Sequence, residues 1–107
     1  MTKMEDKIEI TPKILREAGF KESHFPYTAF KCSVKVKHDV EFDIEMTYHK
    51  HSCTYTIEVH EYLQNKLEDR CRFSGLSITS EVNDILSLFR YSDQLPKLQA
   101  ESQSPDD

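Results

Sequence analysis

His49, His51 and Cys53 alternate along one short stretch, His49-Lys50-His51-Ser52-Cys53. Imidazole and thiolate are the ligands zinc prefers in a converging tetrahedral set. Side chains flanking a turn can converge, so these three form the chain's candidate metal site. Three observations weigh against it. Cys53 falls on the inward phase of the strand that follows, His60 lies further down that strand, and no fourth ligand is implied. Histidines at a turn are more often solvated than ligated, and that is the reading taken here, with no metal and no cofactor.

The other reactive groups read the same way. All three cysteines, Cys32, Cys53 and Cys71, fall on inward strand positions, where cysteine acts as a small hydrophobe. A Cys–His nucleophile needs an exposed thiol beside a positioned base. Glu41, Asp43, Glu45, Glu58, Glu61 and Asp69 offer carboxylate pairs, but acid–base work requires burial or a cleft to raise one pKa. The first four belong to a face expected to be wet. With only two glycines in the chain, no phosphate-cradling loop exists. The sequence therefore reads as non-enzymatic.

These groups hang on a segment, Phe30 to Phe73, that alternates apolar and polar residues through four stretches. Period-two alternation specifies an antiparallel sheet with one buried and one wet face. The first strand spans about Tyr27 to Val36, with Phe30, Cys32, Val34 and Val36 inward and Lys31, Ser33 and Lys35 outward. The second spans about Val40 to Tyr48, with Phe42, Ile44 and Met46 inward and Glu41, Asp43 and Glu45 outward. The third begins near Cys53, with Tyr55, Ile57 and Val59 inward. Lys21 to Pro26 reads as a connection.

Directly opposed residues of an antiparallel pair share a face, so parity constrains the turns. A bulge-free two-residue loop at His38-Asp39 would set Val36 against Glu41. A three-residue loop, Lys37-His38-Asp39, sets Val34 against Phe42, Cys32 against Ile44, Lys35 against Glu41 and Lys31 against Glu45. A second loop around Lys50-His51 sets Met46 against Tyr55, Ile44 against Ile57 and Asp43 against Glu58. That last pair calls for a cation beyond Glu58.

His60 to Cys71 fits two readings. Val59, Tyr62, Leu63 and Leu67 have helical spacing. A hairpin looped at Gln64-Asn65-Lys66 instead opposes Leu63 to Leu67, Val59 to Cys71 and Ile57 to Phe73, and brings Arg72 to Glu58. The hairpin puts Glu61 against Asp69 on the inner side, tolerable only beyond the core. It is preferred because nothing between Val59 and Tyr62 turns or caps the chain.

Two helices complete the pattern. Thr11 caps the first, Pro12 fits its first position, and Ile10 and Leu15 are spaced for a staple. Gly19 ends it in the left-handed region, with Phe20 folded onto Leu15. It spans about Pro12 to Ala18. The second, about Glu81 to Arg90 with Thr79 or Ser80 as cap, carries Val82, Ile85, Leu86 and Phe89 as an apolar stripe. The fold expected is α+β: a short N-terminal helix, a four-stranded antiparallel meander and a C-terminal helix, both helices on the apolar sheet face. Residues 1–91 form one domain. Residues 92–107 read as a polar, acidic, disordered tail in which only Leu95, Leu98 and Ala100 could anchor.

At 107 residues and net charge −5 the chain suits one acidic domain. Nucleic acid is a poor partner for it, since Lys31, Lys35 and Lys37 are its only dense basic group and face carboxylates. The odd cysteine count and the charged, apolar-poor start imply a cytoplasmic protein. No run approaches the ~20 apolar residues of a membrane span.

The opening Ile10-Thr11-Pro12-Lys13-Ile14-Leu15-Arg16-Glu17-Ala18-Gly19-Phe20 resembles the I-T-P-x-x-L-x-x-x-G-F start of small uncharacterised proteins of bacterial genomes and their mobile elements. Those share the order helix, meander, closing helix with a V-x-x-L/I-x-x-L core, here Val82, Ile85 and Leu88. The resemblance implies no functional residues. The function expected is a non-enzymatic protein-binding or regulatory accessory factor, with an unidentified protein partner or a homodimer through a sheet edge. Two alternatives stand beside it: a zinc module at His49, His51 and Cys53, and an acidic mimic of nucleic acid built on the second-strand carboxylates.

Overall fold

The computed structural model describes residues 7–101. Its elements run α1 (Pro12–Glu17), β1 (Lys21–Ser23), β2 (Ala29–Lys37), β3 (Val40–His49), β4 (Thr54–Leu63), β5 (Lys66–Leu76), α2 (Thr79–Leu86) and a 3-10 turn at Ser92–Gln94. All five strands form one antiparallel sheet in sequence order, β1-β2-β3-β4-β5. The α+β architecture is as expected, with one strand more than expected. Lys21–Ser23, read as a connection, pairs with Ala29–Lys31 of β2. Three residues without alternation carry no periodic signal, so only the β2 partner makes them a strand.

The start of α1 follows its capping chemistry. The Thr11 hydroxyl accepts from the Ile14 N–H at 3.1 Å. At the other end Gly19, at φ +106°, donates to the Arg16 carbonyl at 3.0 Å and Phe20 donates to the Leu15 carbonyl at 3.0 Å. That is the paired bonding of a Schellman cap, and it turns Phe20 into the core beside Leu15.

The β2–β3 register is the expected one: Val34↔Phe42, Cys32↔Ile44, Lys35↔Glu41 and Lys31↔Glu45. The parity conflict is solved by a bulge at Val36 with His38-Asp39 as the turn, Lys37 pairing with Val40.

Between β3 and β4 the expected register is wrong by two residues. The pairs are Met46↔Ile57, Ile44↔Val59, Glu45↔Glu58 and Asp43↔His60. Lys50–Cys53 forms a longer loop, closed by the Cys53 N–H on the His49 carbonyl at 2.8 Å, with Cys53 left-handed at φ +58°. A slip of two preserves every face, so hydrophobic parity could not detect it. It does set the Tyr48 ring against that of Tyr55, tilted by 53° with centroids 5.0 Å apart.

The 60–72 stretch is strand, not helix. β4 and β5 pair as Val59↔Cys71, Glu58↔Arg72 and Ile57↔Phe73, the expected central register. The loop is Gln64-Asn65 alone, both at positive φ as a type I′ turn requires, and the register is then restored by an irregularity between Glu61 and Tyr62. A second irregularity, between Tyr55 and Ile57, spans Ser74-Gly75.

Helix α2 starts and stops earlier than expected. Ile78 is its N-cap, and the Glu81 carboxylate accepts from the Ser77 and Ile78 N–H groups at 3.0 and 3.1 Å. Beyond Leu86 the Ser87 hydroxyl donates to the Asp84 carbonyl at 2.7 Å, and 3-10-type bonds take over. Phe89 lies outside the helix yet meets Phe42 edge-on at 5.9 Å. Leu88 is exposed.

One core joins these parts: Phe30, Phe42, Ile44, Met46, Ile57 and Val59 from the sheet, Ile14 and Leu15 from α1, and Val82, Ile85 and Leu86 from α2. The chain after residue 91 contributes too. Leu95 and Leu98 are buried. The Asn83 side chain donates to the Leu98 carbonyl at 2.9 Å and accepts from its N–H at 2.8 Å, as a neighbouring strand would. Leu95 and Leu98 of the expected tail thus pack on the core, while residues 99–101 are exposed. Residues 102–107 lie outside the described ones.

Candidate binding surface

The three residues of the zinc alternative are not brought together. The His49 Nε2 lies 2.7 Å from the Thr56 hydroxyl, itself 2.9 Å from the Ser74 hydroxyl, in a chain across three strands. His51 stays exposed in the turn. Cys53 is exposed rather than inward, because its left-handed backbone takes it out of strand phase. Among the described residues no three His, Cys, Asp or Glu side chains are placed to hold a metal ion.

Cys32 and Cys71 are half-buried free thiols on the inner face, as their phase implies. Burial pushes both above the ordinary thiol range, which lowers the thiolate fraction.

The outer face is polar but makes little direct ion pairing. Among the described residues Lys31 and Lys35 have no carboxylate within ion-pair distance, although they sit opposite Glu45 and Glu41. Instead the Ser33 hydroxyl donates to Asp43 at 2.7 Å and the Tyr27 hydroxyl to Glu45 at 3.3 Å. Arg72 approaches Glu58 at 3.8 Å, both side chains well solvated, and relieves the Glu45↔Glu58 opposition weakly. Tyr62 places an aromatic ring on this face, where it meets His60 edge-on at 6.3 Å.

Glu61 carries the largest departure from sequence reasoning. It faces Asp69 in the expected register, yet its side chain is only 8% exposed. Arg90 reaches across from beyond α2 and bonds its carboxylate at 2.9 Å. That hydrogen bond, then the Glu61 charge, hold the Arg90 guanidinium above its already high range. Nothing in the sequence linked positions 61 and 90, because the pairing exists only once α2 lies on the sheet.

The open surface is β5. It is an edge strand of eleven residues, exposed along its length except for half-buried Cys71 and buried Leu76. Phe73, opposite Ile57 on the inner face, remains 42% exposed, since neither helix among the described residues covers it. Arg70 and Arg72 line the outer side, opposite His60 and Glu58. The opposite edge is shielded only in part, since β1 covers Ala29–Lys31 and leaves the rest of β2 open.

Among the described residues no helix is long and apolar enough to cross a membrane. Comparison with protein-family models, with curated proteins and with solved structures gave no match.

Proposed function

We propose that this chain is a small non-enzymatic binding protein that takes up a partner strand along β5. It would act as an accessory or regulatory factor in the cytoplasm, where its three unpaired thiols stay reduced. One observation carries the reading: an eleven-residue edge strand with a half-exposed Phe73. Such edges are templates for strand addition, and between its irregularities near Glu68 and Ser74-Gly75 β5 keeps a regular stretch, Asp69 to Phe73.

The charge on the edge narrows the partner. A self-paired register centred on Arg70, Cys71 or Arg72 sets arginine against arginine. A strand with carboxylates opposite Arg70 and Arg72 and an apolar residue opposite Phe73 gains about 0.2–1 kcal/mol per matched pair instead. The partner is therefore an acidic, extended segment of another protein.

The test is a side-by-side capture from the native host with the wild type and an Arg70→Glu/Arg72→Glu/Phe73→Lys variant, followed by amide exchange of the complex. The expected result is a protein retained by the wild type, lost by the variant, and protecting the β5 amides. Undiminished capture by the variant opposes the reading. So does a strict monomer in light scattering at high concentration with nothing retained.

A further inference from the structure

The chain closes the end of the sheet with its own N-terminal segment. Ile10 donates to the Ser77 carbonyl at 2.9 Å, and Thr79 donates to the Ile8 carbonyl at 2.8 Å. Between this segment and the sheet lies a cavity of about 420 Å³, lined among others by Ile10, Phe30, Tyr48 and Tyr55, with Cys53 and Glu9 also on its wall.

Tyr55 is the informative residue. Its side chain is only 4% exposed and packs against Phe30 and Tyr48, centroids 6.3 and 5.0 Å away. No described residue bonds the Tyr55 hydroxyl, and its oxygen is reached by solvent rather than sealed in the core, so it is free to bond a molecule in the cavity. Burial, then the Tyr48 phenol and the Glu22 carboxylate, push its pKa up to about 12, so it is a neutral phenol at any physiological pH. The electrostatics of the wall are one-sided: Glu9 supplies a carboxylate without a described partner, and among the described residues no lysine or arginine lines the cavity.

We infer that this cavity binds a small organic ammonium ion with an apolar or aromatic body. The body packs among Ile10, Phe30 and the two tyrosine rings. The ammonium donates to the Tyr55 hydroxyl, gains from the nearby π systems, and has its charge balanced by Glu9. An anion of the same shape meets Glu9 and finds no cation among the described lining residues. This site is separate from β5 and does not depend on strand addition there.

Benzylamine, benzyl alcohol and benzoate, nearly equal in shape and different in charge, are the probes, each titrated into the isotope-labelled full chain and followed by amide shifts. Benzylamine is expected to shift Tyr48, Tyr55 and Ser77 saturably in the millimolar range, about tenfold more tightly than benzyl alcohol, with benzoate inert. Tyr55→Phe removes only an unpartnered hydroxyl, so the fold persists, as its own spectrum checks. It is expected to weaken benzylamine about tenfold, and Glu9→Gln about threefold. Benzoate binding as tightly as benzylamine overturns the inference. So do shifts centred away from the cavity, no saturation with benzylamine, or unchanged affinity in Tyr55→Phe.

Discussion

At the residue scale two side chains show how burial sets charge. Glu61 is tolerable inside only because Arg90 reaches it. Glu61 is buried whereas Arg90 is 67% exposed, so removing Arg90 strands the Glu61 carboxylate, and removing both does not. Arg90→Ala is therefore expected to lower the urea midpoint, and Glu61→Gln in the same chain to restore much of it. Additive losses in that double-mutant cycle would show the pair to be uncoupled. Tyr55 makes a pH statement. Its pKa lies near 10 in the unfolded chain and at about 12 in the fold. The fold thus binds the phenolic proton more tightly. That stabilisation is complete below pH ~10 and disappears as pH rises through ~12. It amounts to at most about 2–3 kcal/mol. Denaturation across this alkaline window should show a steeper loss in the wild type than in Tyr55→Phe, and parallel curves would refute the assignment.

At the element scale, local signals are short and chemically explicit. Thr11, Pro12 and Gly19 mark both ends of α1 because each meets a specific backbone need: an acceptor for a free N–H, a position that needs none, and a left-handed residue. Thr11→Ala is expected to cost about 1 kcal/mol in denaturant titrations. The β4–β5 turn offers the converse case. Gln64 and Asn65 both hold positive φ, which Asn-Gly accommodates better. Changing the pair to Gln64→Asn with Asn65→Gly should raise stability by roughly 0.5 kcal/mol, and a fall would argue against a type I′ turn. Helix α2 was harder to delimit. Its stripe continues to Phe89, but the regular bonding ends at Leu86, where the Ser87 hydroxyl donates to the Asp84 carbonyl and 3-10-type bonds follow. Burial of Phe89 by Phe42 keeps the periodicity after the helix has stopped.

At the scale of the whole molecule, the last described segment is structural. Leu98 is 2% exposed and clamped by Asn83, so Leu98→Ala should cost about 2–4 kcal/mol, and a surface-like loss under 1 kcal/mol would show the segment undocked. The sequence by itself determined the fold class, which residues face inward, the β2–β3 register and the central β4–β5 pairs. These follow from period-two alternation, cap chemistry and the parity of opposed positions, all of which act over a few residues. The tertiary structure decided what needs distant partners. It made a strand of Lys21–Ser23, because β2 offered an edge. It chose between two β3–β4 registers that bury the same faces, and so turned Cys53 outward and drew His49 to Thr56. It joined Glu61 to Arg90, and it left β5 uncovered while closing a cavity over Tyr55. Each of these depends on how elements far apart in sequence are stacked, and alternation records only the face a residue takes, never the neighbour it meets there.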